Sequence, residues 1–248
     1  MIKEYLPNFV EKYKIDFVIA NAENATHGKG LSQNHYFELI DAGIDVITLG
    51  NHYLSKREIT NYINKVDRLV RPANLLQEFG GEGSIVFDVD GVGIRVSNIL
   101  GSAFMNENVN APYLCALDIL SESDPNEIHI IDFHAEATGE KYSLAYALDG
   151  KVTAVLGTHT HIQTNDAKVL PNGTAYISDV GMTGFYDGVL GFIKETVVPK
   201  IVYGEQGKMQ TPDNGKGILS AVIIKIEDGT NKAKSITPIN FIESENED

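Results

Sequence analysis

The sequence predicts one α/β domain over residues 1–248, built from two layers of mixed sheet with helices outside. Short apolar runs rich in β-branched residues recur along the chain, and such runs are typical of buried parallel strands. Segments with a single apolar face lie between them and are expected to form helices. One pair of neighbouring runs encloses Asp90-Gly91, a dipeptide that favours the turn of a two-stranded hairpin.

The boundaries of the predicted elements follow from local patterns. Ile2, Leu6 and Val10 lie at helical spacing, so the chain is expected to open on an amphipathic helix. Ser32 is a suitable N-cap for the second helix, and Gly43 suits its exit. The predicted helices cover residues 2–13, 32–42, 55–66, 114–120, 139–148 and 194–203. The predicted strands cover residues 15–20, 44–49, 83–89, 93–100, 128–133, 152–156, 174–178 and 218–226, followed by an acidic tail at 241–248 that is expected to fray.

The charge and composition of the chain exclude several classes of partner. A formal net charge of −14 argues against binding to DNA, although bound cations would let a small phosphate ester approach. Cys115 is the one cysteine, so no internal disulfide is expected. The sequence shows no apolar stretch of membrane-spanning length and no signal-peptide pattern. We therefore expect no membrane partner and a cytoplasmic location.

Four polar motifs each follow one of the predicted strands. Because parallel strands present their carboxyl ends at one edge of an α/β sheet, the side chains directly after these strands are expected to meet. Gly50 would allow close backbone approach at that edge. Asp132, which lies within a strand, is expected to be a paired structural carboxylate. The motifs are Asn21-Ala-Glu-Asn24, Gly50-Asn-His52, His134-Ala-Glu136 and Gly157-Thr-His-Thr-His161.

The side chains of these motifs are those that bind transition metals. Imidazole nitrogen, carboxylate oxygen and amide oxygen together favour a divalent cation. Two such cations can clamp a phosphate and activate a shared water, and an imidazole that is not a ligand can protonate the leaving oxygen. The residues expected to converge are Glu23, Asn24, Asn51, His52, His134, His159 and His161.

The motifs NAEN, GNH, FHAEA, GTHTH and DVGMTG, together with Arg71-Pro-Ala-Asn74, resemble those of the YmdB-like bacterial phosphodiesterases, a family of the calcineurin-like metallophosphoesterases. The resemblance extends over nearly the whole chain. It implies a four-layer α/β-β/α sandwich with mixed sheets, phosphodiesterase activity toward small substrates such as 2′,3′-cyclic nucleotides, and a homo-oligomer. It also implies two bound metal ions, iron or manganese, with magnesium or zinc as alternatives.

By motif match, the resemblance implies a role for each polar side chain. Glu23 would bridge the two ions, a metal-bridging hydroxide would attack the phosphorus, and His52 would be the general acid. Asn74 and Asp179 are the candidate substrate-binding residues, although a turn role for Asn74 stays open. Asp179 could instead support a ligand histidine or cap the turn that follows it. Glu136 is expected either to orient a ligand histidine or to cap the following helix. Asn51, His134 and His159 would complete one metal site, and Asn24 and His161 the other.

The chain departs from the family pattern at two places. The family begins with a strand that ends in a Gly-Asp pair, whose aspartate is a metal ligand, and no residue here matches that aspartate. We therefore expect the first N-terminal strand to be missing and one edge of the central sheet to be unpaired. Because Met1 lies one residue before a well-patterned helix, a missing upstream segment is favoured over gene decay. Tyr53-Leu-Ser55 replaces the Thr-Trp-Asp that the family usually has after GNH.

Two other functions are compatible with parts of the pattern. Without the aspartate ligand, the chain also fits a metal-poor remnant that binds a nucleotide or a protein partner without catalysis. His-x-His motifs also occur in zinc amidohydrolases of barrel type, but the hairpin at 84–99 interrupts the strand–helix repeat that a barrel needs. The dinuclear phosphodiesterase is therefore the leading hypothesis.

Overall fold

The computed structural model describes residues 1–76 and 80–244. Its helices lie near the predicted ones, and Ser32 caps the second helix by accepting a hydrogen bond from the backbone N–H of His35. None of the described helices is both long and apolar enough to cross a lipid bilayer. The helices are α1 (Ile2–Tyr13), α2 (Gln33–Asp41), α3 (Ile59–Tyr62), α4 (Pro112–Ser121), α5 (Thr138–Ala147) and α6 (Lys194–Tyr203).

The described strands form three sheets. The first sheet contains β1 (Ile19–Asn21), β2 (Val46–Thr48) and β3 (Leu69–Val70), which are all parallel. The second contains β4 (Ser84–Val89), β5 (Val92–Leu100), β6 (Ile128–His134), β7 (Ala154–Thr158), β8 (Lys168–Val169) and β9 (Ala175–Ile177), in the order β4-β5-β6-β7-β9-β8. The third is antiparallel and contains β10 (Thr183–Phe185), β11 (Gly217–Ile226) and β12 (Ala233–Ile242).

The strand directions place one set of carboxyl ends at a common edge. β5, β6, β7 and β9 run parallel to one another, and His134 at the end of β6 lies in register with Thr158 at the end of β7. β4 and β5 form the predicted hairpin, whose turn residues Asp90 and Gly91 have φ angles of 52° and 83°. Two successive residues in the left-handed region are what a tight hairpin turn of this kind requires.

Apolar side chains fill both faces of the six-stranded sheet. On one face, Phe133 and Tyr176 pack with residues of α4 and α5, such as Leu144. On the other face, Ile130 belongs to a cluster that also contains Ile19 of β1 and residues of β11 and β12. The sheets therefore pack against each other with helices on the outside, which is the layered arrangement that the sequence predicts.

One edge of the first sheet is open. Among the described strands, β1 pairs only with β2, so its other edge has no strand beside it. A cavity of about 2030 Å³ lies between β1, β11 and the face of the six-stranded sheet. The unpaired edge expected from the sequence is thus present in the described part of the chain.

Three sequence predictions about elements are wrong in detail. The helix predicted over 55–66 is only α3 with a 3₁₀ turn at Ile63–Lys65, because its β-branched and asparagine residues have low helix propensity. The strand at 218–226 is not the last strand, because β12 follows it, pairs antiparallel with it and extends to Ile242. β3, β8 and β10 were not predicted, since each is only two or three residues long. Residues 245–248 of the predicted frayed tail lie outside the described residues.

The substitution Gly157→Ala tests the packing of β7 beside β9. An added Cβ would collide with the backbone carbonyl oxygen of Ser178, which cannot move aside as a flexible side chain can. We expect a loss of about 1–3 kcal/mol in the free energy of unfolding, measured by urea denaturation. Gly139→Ala in α5 is the control, because a Cβ there meets no atom within 4 Å and should leave stability equal or slightly higher. An unchanged urea midpoint for Gly157→Ala would contradict this account.

Candidate metal centre

The carboxyl ends of β1, β2, β6 and β7 bring the seven predicted residues together. Oε1 of Glu23 lies 3.2 Å from Nε2 of His134, and Nδ2 of Asn24 lies 3.1 Å from Nε2 of His161. Each of the seven residues contacts at least one other member of the group. The group consists of Glu23, Asn24, Asn51, His52, His134, His159 and His161.

Three of these residues form the tightest cluster. Glu23, His134 and His159 each offer one ligand atom, and the three atoms lie within 4.8 Å of one another. Nδ1 of His159 and Oδ1 of Asn51 each lie 3.0 Å from Nε2 of His134. Lone pairs of neutral acceptors repel one another at such distances unless a proton or a cation is shared between them. This donor set therefore suits a metal ion.

Gly50 allows the backbone to pass between two of the clustered side chains. A Cβ at this position would collide with Oε2 of Glu23 and with the ring of His134. The backbone N–H of His52 then donates a 2.9 Å hydrogen bond to Oε2 of Glu23. The close backbone approach predicted from the sequence is found here, and it requires glycine.

The charges of the cluster favour cation binding. Burial alone would raise the pKa of the Glu23 carboxyl, but the His134 ring and the N–H of His52 together lower it to about 2. Glu23 is therefore negatively charged at neutral pH. Burial lowers the pKa of His52, His159 and His161. The neutral imidazole, which is the form that binds metals, is accordingly favoured.

Two buried polar atoms indicate a second position for a cation. Within the described residues, Oδ1 of Asn24 and Nδ1 of His161 are buried and have no hydrogen-bond partner. A buried polar atom without a partner carries a free-energy penalty. Amide oxygen and imidazole nitrogen are both metal ligands, so these two residues fit the second ion that the resemblance implies.

A threonine orients the ring of His134. The Thr158 hydroxyl donates a 2.6 Å hydrogen bond to Oδ1 of Asp132, so its oxygen is left to accept from Nδ1 of His134 at 2.9 Å. With Nδ1 bonded to Thr158, Nε2 is the ring nitrogen that faces Glu23, at 3.2 Å. This arrangement resembles the hydrogen-bonded support that orients metal-binding histidines in proteins.

The two candidate substrate-binding residues are buried and bonded within the fold. Nδ2 of Asn74 donates to the carbonyl of Leu100 at 2.8 Å, and Oδ1 accepts from the N–H of Leu100 at 2.9 Å. Oδ2 of Asp179 accepts from the N–H of Thr160 at 2.9 Å. Asn74 is thus bonded to the end of β5, and Asp179 to the loop between the two histidines and to the turn that follows it, at Gly181.

Two neighbouring residues were not found by sequence reasoning. Lys141 is 2% exposed, and its Nζ lies 3.3 Å from Oδ2 of Asp179. The available signal was its place on the apolar face of α5, three residues before Leu144. Oε1 of Glu107 lies 3.4 Å from Nδ2 of Asn51, and no motif marked it. Glu136 lies where it can orient a ligand histidine, since its Oε2 is 3.2 Å from Nε2 of His159.

Comparison with known proteins places the chain in a family. The YmdB-like protein family matches residues 1–239. The chain is 45% identical over 240 residues to the 2′,3′-cyclic-nucleotide 2′-phosphodiesterase of Bacillus subtilis strain 168, covering 96% of this chain and 90% of that protein. A crystal structure described as a novel phosphatase from Mycoplasma pneumoniae has a TM-score of 0.91 at 36% identity, covering 99% and 89% of the two chains. A hypothetical protein from Thermus thermophilus has a TM-score of 0.90 at 34% identity, covering 98% and 93%.

These comparisons confirm the resemblance and the fold class that it implies. The solved structures share the mixed α/β architecture of the metallophosphoesterases along nearly the whole chain. The family match also spans all four strand-end motifs. The chain therefore belongs to the YmdB-like protein family.

Proposed function

We propose that this chain is a metal-dependent phosphodiesterase whose substrates are small phosphodiesters such as 2′,3′-cyclic nucleotides. Its family and the named activity of its Bacillus subtilis relative make it a phosphoesterase. The observation that carries the finer proposal is the cluster of Glu23, His134 and His159, whose ligand atoms lie within 4.8 Å of one another. The described strands form open sheets, so a barrel amidohydrolase has no support.

The proposed cations are iron or manganese, with magnesium or zinc as alternatives. When bound, they supply positive charge beside the phosphate and lower the pKa of a water molecule. The chain itself carries a formal charge of −14, so an anionic substrate needs that local positive charge. Glu23 would contact both ions, Asn51, His134 and His159 would hold one, and Asn24 and His161 would hold the other.

His52 is the proposed general acid. Its backbone N–H is bonded to Glu23, which holds the residue beside the ligand cluster, and its own ring is half-buried. Hydrolysis adds water across a P–O bond, and the oxygen that leaves phosphorus needs a proton. Burial lowers the pKa of the His52 ring, whereas the negative charge of a phosphate beside it would raise that pKa.

A homo-oligomer is part of the proposal. α6 ends in Ile201, Val202 and Tyr203, which are 69%, 65% and 70% exposed. Adjacent exposed apolar side chains are typical of surfaces that contact another protein. The molar mass in solution, measured by light scattering, tests whether copies of the chain associate.

Chelation tests the dependence on metal ions. We expect a chelator to abolish hydrolysis of 2′,3′-cyclic AMP and added manganese or iron to restore it, because Glu23 and its neighbours then regain the cations. Elemental analysis should give two ions per chain in the wild type and fewer in Glu23→Gln. Glu38→Gln is the control, since Glu38 is an exposed residue paired with Lys3. Less than one ion per chain would favour the non-catalytic remnant instead.

The variant His52→Asn tests the proton donor. We expect kcat to fall by about 10²–10⁴-fold, the usual contribution of general acid catalysis, while the metal content stays at the wild-type value. His35→Asn is the matched control, because His35 bonds to Thr26 outside the ligand cluster and its loss should leave kcat nearly unchanged. Loss of metal from His52→Asn in parallel with kcat would refute the assignment of a general acid.

A further inference from the structure

The loop after β7 holds two histidines in an unfavourable backbone conformation. His159 has a φ angle of 99° and His161 one of 67°. Residues with a Cβ seldom adopt positive φ, and this conformation costs free energy unless contacts stabilise it. Both rings nevertheless lie in the cluster, His159 beside His134 and His161 beside Asn24. Some contact must therefore hold the backbone of this loop.

Thr160, between the two histidines, supplies that contact. Its N–H and its hydroxyl both donate to Oδ2 of Asp179, at 2.9 Å and 2.8 Å. The other carboxylate oxygen of Asp179 accepts from the N–H of Gly181 at 2.8 Å. The backbone N–H of Val180 also donates to the carbonyl of Gly157 at 2.9 Å, which ties this segment to β7. Asp179 is thus a fixed anchor for the residue between the two histidines.

Lys141 balances the charge of that anchor. Its Nζ is a third donor to Oδ2 of Asp179, at 3.3 Å, and the two side chains are 2% and 1% exposed. A carboxylate as deeply buried as that of Asp179 carries a large desolvation penalty, which a neighbouring cation and hydrogen bonds offset. Lys141 reaches it from α5, so the helix, β7 and the segment after β9 meet at this carboxylate.

We propose that Asp179 and Lys141 are positioning residues for the metal centre. Asp179 holds Thr160, and the held Thr160 keeps His159 and His161 in the left-handed region, with both imidazoles directed at the cluster. Lys141 donates to Asp179 and offers a positive charge beside it at its buried position. The part of this inference that concerns metal affinity rests on the proposed function, whereas the loop geometry does not depend on it.

Two double variants isolate the hydrogen bonds from the buried charge. Lys141→Met/Asp179→Asn removes both charges and keeps an acceptor for Thr160. Lys141→Met/Asp179→Ala removes both charges and the acceptor as well. Neither protein contains an unpaired buried charge, so the comparison reports on the loss of the side chain that accepts hydrogen bonds at position 179 and not on a buried charge. Arg95→Met/Glu127→Gln is the control for general destabilisation, since it removes a partly buried ion pair at the amino ends of β5 and β6.

The first measurement is amide hydrogen exchange of Thr160 by NMR in the metal-free proteins. We expect exchange in Lys141→Met/Asp179→Ala to be about tenfold faster than in the Asn variant, the factor for one lost hydrogen bond. The control should match the wild type at this amide. Equal protection of Thr160 in the Ala and Asn variants would overturn the proposal, whatever the metal content.

The second measurement is Mn²⁺ affinity, determined by titration followed by electron paramagnetic resonance. We expect the Ala variant to bind Mn²⁺ at least about tenfold more weakly than the Asn variant, the usual effect of losing a residue that supports ligands. The control should bind like the wild type. Equal affinities in the Ala and Asn variants would overturn the positioning role. If the wild type binds no Mn²⁺, the proposed function fails, and the exchange measurement still decides whether Asp179 holds the loop.

Discussion

A single buried carboxylate joins the strands on which the metal centre depends. Asp132 of β6 accepts hydrogen bonds from Asn21 of β1 at 2.9 Å, from Thr48 of β2 at 2.5 Å and from Thr158 of β7 at 2.6 Å. Burial raises the pKa of its carboxyl group, and the nearby His134 and these bonds oppose that shift. These hydrogen bonds of Asp132 thus join the first sheet to the six-stranded sheet close to Glu23 and His134. Ligands contributed by separate sheets converge because Asp132 bonds to strands of both.

Much of this arrangement was readable in the sequence because strand direction is a strong constraint. Once β1, β2, β6 and β7 are recognised as parallel strands, the polar residues after them must share an edge, and Glu23, Asn51, His134 and His159 do so. The interpretation of Asp132 as a paired structural carboxylate is confirmed. Because Asp132 lies inside a strand, the groups that donate hydrogen bonds to its carboxylate come from the neighbouring strands.

The supporting contacts were not readable, because they depend on residues far apart in the chain. Nothing around Lys141 in the sequence shows that its ammonium group meets Asp179, which lies 38 residues away. The positive φ angles of His159 and His161 follow from the contacts of Thr160 and not from local propensity. β12 was missed because Pro238 and several polar residues obscure its alternation, and its partner β11 is what makes it a strand.

The open edge of β1 has a consequence for the behaviour of the chain in solution. Val18 and Ala22 direct their backbone bonds toward β2 and its neighbours, so by alternation the N–H and C=O groups of Ile19 and Asn21 point into the cavity. Such unpaired groups beside apolar side chains form a template for any extended polypeptide that reaches them. Concentrated or partly unfolded preparations would therefore begin to aggregate at this edge, where the backbone of one molecule can form hydrogen bonds with that of the next.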